Sequence, residues 1–143
     1  DFHARYAAHT KTYRYRIRNC AIDSPFESRY MYRSPRRLDD AAMNAAARLF
    51  VGTHDFSALC AAGSSAAAHG DTVRTITDCH VTRTGDEVAV VVTADGYLYN
   101  MVRIIVGTLL EKHDVASVLA ACDRRRAGNT APAKGLTLTS VEY

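Results

Sequence analysis

Two polar residues, Asn100 and Arg103, stand inside the longest apolar stretch of this 143-residue chain, residues 97–110. A guanidinium is too costly to bury unpaired, so Arg103 should face a carboxylate. Asn100 lies close enough along the chain to orient it. A second set lies near the start, where residues 11–20 alternate: Tyr13, Tyr15 and Ile17 take one side of a strand, and Arg14, Arg16 and Arg18 the other. Of the 18 basic residues 15 are arginine, and the planar guanidinium fork suits phosphate oxygens and stacks on bases better than an ammonium does. The partner this chemistry points to is nucleic acid. A solvated basic face is the competing explanation of the same composition.

The formal net charge of +3 conceals a local field. Residues 1–37 carry nine bases against three acids, whereas the rest of the chain carries nine against twelve. His3, His9, His54, His69, His80 and His113 have no metal-ligand spacing, so each reads as a surface or structural histidine rather than a metal ligand. Cys20, Cys60, Cys79 and Cys122 lie far apart with no C-x-x-C pair, which points to reduced thiols and a cytoplasmic setting. The apolar stretch falls short of the roughly 20 residues a membrane span needs, so no membrane partner is expected. The chain begins at Asp1, without methionine and without the basic and apolar segments of a signal peptide, and is expected to be a piece of a longer protein.

A few elements must position these groups. With 48% hydrophobic and 23% charged residues, the composition is that of one globular domain spanning 1–143. After the strand at 11–20, Ser24-Pro25 and Ser34-Pro35 mark a loop region around Tyr30-Met31-Tyr32. Asp39 or Asp40 caps a helix carrying Met43, Ala46, Ala47 and Phe50, with Gly52 at its stop, and Thr53 caps a short helix through Leu59. Residues 61–70 read as a flexible loop. Residues 72–82 and 87–94 form an antiparallel hairpin joined at Thr84-Gly85-Asp86, with Val88, Val90 and Val92 on one face. A buried helix spans 97–112 with Leu98, Met101, Val102, Ile105, Val106 and Leu109 on its stripe. A further helix capped by Asp114 turns Val115, Val118, Leu119 and Cys122 inward, with Arg124, Arg125 and Arg126 in its last turn. Leu136, Leu138 and Val141 suggest a last strand, although the step from Leu138 to Val141 breaks alternation. About four strands and three helices predict an α+β fold, a mostly antiparallel sheet with helices packed on one face.

Several runs, in order, resemble the tRNA pseudouridine synthase A family: Phe2-His3-Ala4-Arg5-Tyr6, Lys11-Thr12-Tyr13-Arg14-Tyr15, Gly52-Thr53-His54-Asp55-Phe56, Val73-Arg74-Thr75-Ile76, the long run from Ala94-Asp95-Gly96-Tyr97 through Asn100-Met101-Val102-Arg103 to Gly107-Thr108, and Ala127-Gly128-Asn129-Thr130-Ala131-Pro132-Ala133 leading to Gly135-Leu136. What they match is the C-terminal half of that family's protein. The resemblance implies one half of a pseudouridine-synthase fold and an isomerase that converts uridine to pseudouridine in the tRNA anticodon stem-loop, without cofactor or metal. It implies three partners: tRNA, the N-terminal half of the same protein, and a second copy in a homodimer. The family's catalytic aspartate lies in an Arg-Thr-Asp-Ala-Gly run in the other half. No such run occurs here, and Arg83-Thr84-Gly85-Asp86 is the hairpin turn, so this chain alone is expected to be inactive.

The family pattern lays Tyr13 against a flipped base, pairs Arg103 with the catalytic aspartate, and makes Leu136 an apolar wall for the uracil. Asn100 would orient Arg103, and Arg5, Arg14, Arg16 and Arg18 would contact RNA. Without the resemblance the same residues read differently: Tyr13 and Leu136 as core positions, and Arg103 as paired with Asp95 or Glu111 or reaching to solvent. Asp95 reads as a turn residue, Asp55 as a carboxylate near a helix N-terminus and Phe56 as packing. The alternation also sets a tension, because an arginine face turned to RNA turns Tyr13 away from it. Two other functions fit the sequence: a stand-alone RNA-binding module without catalysis, and a purely structural dimerisation domain.

Overall fold

Alternation of ring and cation over Thr10–Asn19 produces β1, the strand on which the sheet is organised. A computed structural model describes residues 10–21, 30–61, 63–64, 70–111 and 114–142. Along one edge β1 pairs antiparallel with β5 (Glu87–Ala94) from Lys11 to Arg18. Its other edge is shared: β6 (Leu136–Glu142) runs antiparallel against its first half, and β2 (Tyr32–Ser34) parallel against its last three residues. Beyond β5 follow β4 (Val73–Thr84) and β3 (Gly52–Asp55), both antiparallel to their neighbours. Among the described residues the result is a mixed, mostly antiparallel sheet of six strands with three helices, an α+β fold.

The expected face assignment holds. Tyr15, Ile17, Val88, Val90 and Val92 are fully buried on one face, in a single cluster with residues from the three described helices. The β4–β5 turn falls at Gly85-Asp86, where Gly85 takes a φ of +59° that glycine adopts without penalty. Helix α1 (Asp40–Arg48) is capped by Asp39, whose carboxylate accepts from the Ala42 N–H at 3.0 Å, and it buries Met43, Ala46 and Ala47 at helical spacing. The break in alternation near the end of the chain is a bulge. Tyr13 pairs with Leu138 and Thr12 with Ser140, which leaves Thr139 as the extra residue.

Several expectations fail. Tyr32 belongs to a strand, and the buried Asn19 side chain holds the neighbouring backbone by donating to the Ser34 and Arg36 carbonyls at 3.0 and 2.7 Å. Gly52 does not end a helix but opens β3, and Thr53 caps nothing. A 3₁₀ turn, Ser57–Leu59, follows that strand. Its start is held by Asp55, which accepts from the Ser57 N–H at 3.0 Å, while Phe56 is fully buried. The central helix α2 spans Met101–Glu111, beginning four residues later than the apolar pattern suggests. Asn100 has a φ of +60°, a left-handed conformation through which a right-handed helix cannot run. Helix α3 (Val115–Ala121) is capped by Asp114 as expected and buries Val115 and Val118. It ends at Cys122, which is left-handed and exposed rather than inward, and Arg124–Arg126 form a separate 3₁₀ turn. Most of the loop expected at 61–70 lies outside the described residues. Among the described residues no helix is long and apolar enough to cross a membrane.

Candidate functional site

The turn from β5 into α2 builds one side of the site. Asp95 closes it as a turn residue, its N–H donating to the Thr75 carbonyl and its carboxylate accepting from the Thr75 N–H. Tyr97 then folds back against the β1–β5 pair. Its hydroxyl donates to the Lys11 carbonyl at 2.6 Å, with the Val92 carbonyl also within 2.9 Å. Burial pushes the Tyr97 hydroxyl well above the ordinary tyrosine range, so it remains a donor. The Tyr13 ring meets Tyr97 edge to face, with centroids 4.9 Å apart and planes at 89°.

Arg103 occupies the first turn of α2, which holds no acidic residue. A cation there opposes the helix dipole, so its placement needs a reason other than helix stability. Arg103 Nε donates to the Ala131 carbonyl at 2.7 Å and Nη1 to Asn100 Oδ1 at 3.2 Å. Both partners are neutral, and among the described residues no carboxylate pairs with it. Asp95 is committed to Thr75, and Glu111 accepts from the Asn129 N–H. The ion pair with Asp95 or Glu111 that the sequence allowed is therefore not formed, and Asn100 does contact Arg103.

These groups meet in one open cleft of about 130 Å³ lined by Tyr13, Tyr97, Leu98, Asn100, Met101, Val102, Arg103 and Leu136. It is smaller than the roughly 300–1,000 Å³ of a pocket for a drug-sized ligand. Two rings, several apolar walls and one charged side chain suit a flat, polar ring better than a flexible chain. The lining contains no carboxylate, thiol or histidine, and no cluster of metal-ligating residues occurs among the described residues.

Tyr13, Asn100, Arg103 and Leu136, singled out from the sequence, thus lie together. Arg14 and Arg16 do not. They lie on the opposite face of β1, where Glu87 holds both, Arg14 Nη2 at 2.6 Å and Arg16 Nη2 at 2.9 Å. Arg18 shares that face, opposite Glu87 in register. Arg5 lies outside the described residues. Tyr97 was not singled out from the sequence, where it reads as the first residue of the buried helix. Its position directly after an Asp-Gly turn is the signal that could have separated it from the helix.

Fold and cleft define an α+β protein with a small cleft whose lining brings together two tyrosine rings, apolar walls and one guanidinium. Comparison with known proteins gives the family. A profile described as tRNA pseudouridine synthase matches residues 46–143, and the chain belongs to that family. It is 49% identical to tRNA pseudouridine synthase A of Halalkalibacterium halodurans over 95% of this chain and 53% of that protein. It is 46% identical to the protein of the same name from Brevibacillus brevis, and 45% to that from Acetivibrio thermocellus, each over all of this chain and 60% of the relative. The chain thus spans only a little over half the length of these relatives.

Proposed function

We propose that this chain is the C-terminal half of a tRNA pseudouridine synthase, and that the whole protein isomerises uridine to pseudouridine in the tRNA anticodon stem-loop. In that reaction the C1′–N1 bond breaks, the uracil turns, C5 joins C1′, and the C5 proton is lost as N1 gains one. Product and substrate are isomers, so atoms and electrons balance without an added redox group. The target nucleotide must leave its stack for a closed pocket. In this reading Tyr13 lies against the flipped uracil and assists removal of the C5 proton, while Leu136 supplies the apolar wall. Arg103 pairs with the catalytic aspartate, which the other half contributes, and Asn100 steadies the guanidinium.

The observation that carries the reading is Arg103 itself, a half-buried cation set against the helix dipole, beside a ring-lined cleft and without a carboxylate partner among the described residues. A group so placed suits an anion delivered by another segment. The cleft face receives the target nucleotide, and Arg5, Arg14, Arg16 and Arg18 contact phosphates beyond it. The whole protein works in the cytoplasm on tRNA, and a second copy completes a homodimer.

The test is reconstitution. This chain alone should form no pseudouridine in an anticodon-arm RNA, and addition of the aspartate-bearing half should restore turnover. In the full-length protein Arg103→Ala should abolish turnover while leaving the fold intact. Retained activity with a large loss of stability would refute the active-site role. Tight RNA binding with no turnover, even when the other half is present, would identify a binding module instead.

A further inference from the structure

Residues 127–135 form a strap across α2 that is tied down along its length. Gly128 N–H donates to Thr108 Oγ1 at 3.0 Å, and the Arg124 guanidinium donates to the Gly128 carbonyl at 2.7 Å and to Thr130 Oγ1 at 3.2 Å. Ala131 and Arg103 bond reciprocally: the Ala131 N–H donates to the Arg103 carbonyl at 3.0 Å, and Arg103 Nε donates to the Ala131 carbonyl at 2.7 Å. The guanidinium therefore goes where Ala131 goes.

The next residue, Pro132, has no N–H, so its carbonyl is its only backbone handle. Tyr15 takes it, with the hydroxyl donating at 2.6 Å from a side chain that is itself fully buried in the sheet core. The same ring packs against Gly135 so closely that a Cβ there would lie 2.8 Å from it, and Tyr15 pairs in register with Leu136. One buried side chain thus holds the strap immediately after the residue that anchors the cation and immediately before the residue that walls the cleft. Burial raises the hydroxyl's pKa above the ordinary tyrosine range, with Tyr32 adding to this and Arg103 opposing it, so the group stays protonated and able to donate.

We infer that Tyr15, which does not line the cleft, is a positioning residue that sets Arg103 and Leu136 through its bond to Pro132. The inference rests on the reading that those two residues serve the reaction. Without the hydroxyl, the strap keeps its other ties but shifts at the end nearest the cleft. Displacements of about 1 Å in a reacting assembly can lower turnover by up to about 100-fold.

The experiment is Tyr15→Phe in the full-length protein, assayed well below its melting temperature with an anticodon-arm RNA. The expected result is a loss in kcat of about tenfold or more, with KM within about twofold of the parent. In an Arg103→Lys background, Tyr15→Phe should add little further loss, because both changes act on one group. Should Tyr15→Phe not fold, Thr108→Val, which unties Gly128 at the other end of the strap, should show the same selective fall in kcat. A lowered melting temperature with unchanged kcat, or losses that multiply in the double variant, would overturn the inference. Full turnover by Tyr15→Phe beside an inactive Arg103→Ala would sink it alone, whereas full turnover by Arg103→Ala would remove the reading beneath it.

Discussion

Gly107→Ala sets two physical effects against each other. Gly107 lies inside α2, where replacing glycine by alanine ordinarily stabilises a helix by about 1 kcal/mol. In this fold a Cβ on Gly107 would lie 1.5 Å from the Asn129 carbonyl oxygen, inside the strap's backbone, and such contacts do not occur below 3.0 Å. The strap would have to retreat from α2. Gly128 on the strap is equally constrained, since its own Cβ would lie 2.5 Å from the Gly107 carbonyl oxygen. Overpacking against backbone costs about 3 kcal/mol, near the upper end of its range. Loss of the buried bond from Gly128 N–H to Thr108 Oγ1 costs about 1 kcal/mol more. Set against the helix gain, the net is a destabilisation of about 3 kcal/mol, which for a chain of this size lowers Tm by about 10 °C. Thermal unfolding followed by circular dichroism reads this directly. A Tm at or above the parent's would mean that α2 and the strap are not in backbone contact, and the account of how Arg103 is held would fall with it.

Asn19→Ala should destabilise the chain by about 2–4 kcal/mol in urea titrations, because the buried side chain donates to Ser34 and Arg36 and accepts from Leu38 N–H and Arg83 Nη2. The Asp55 pKa is lowered, first by the Thr72 hydroxyl at 2.7 Å and then by Ser57, with burial opposing. Its stabilising contribution is therefore whole above the unfolded value of about 3.9 and is lost as pH falls through the lower folded value. Asp55→Asn should flatten that acid limb of a stability-against-pH curve, with parent and variant converging below the folded value, where Asp55 is protonated. Glu87→Gln removes the shared partner of Arg14 and Arg16, so RNA affinity should rise, with the salt dependence steepening by up to about 0.7–0.9 in slope for each phosphate gained. An unchanged slope would show that this face does not meet RNA.

The legible parts of the fold were those written in local patterns. The alternation in β1 fixed its buried face, the Gly85-Asp86 turn fixed the hairpin, and Asp39 and Asp114 marked helix starts through their own side-chain bonds. What escaped depends on distant partners. β2 is three residues long and exists by pairing with the end of β1, and β3 exists by pairing with the start of β4. The start of α2 was masked because Tyr97 and Leu98 continue its apolar pattern, while the interruption is a backbone conformation at Asn100. At the site, Arg103 and Asn100 stood out as polar residues in apolar company. Tyr13 and Leu136 were separable from ordinary core residues only through the family resemblance, since burial and alternation suit either role. Tyr15 carried no signal at all: its alternation marks it as core, and its hydrogen bond reaches a proline 117 residues away.

The extra residue in β6 has a consequence for comparing members of this family. Leu136 and Leu138 lie opposite Tyr15 and Tyr13, and Val141 opposite Lys11, because Thr139 absorbs one step between them. Remove that step and every later side chain changes sides, which would bring Ser140 to the position where Val141 now sits. A relative one residue shorter at this point should therefore carry its terminal aliphatic group one place earlier. Sequence alignments ought to put their gap at Thr139 rather than in the turn before Leu136, and a gap placed in that turn would misassign the cleft wall itself.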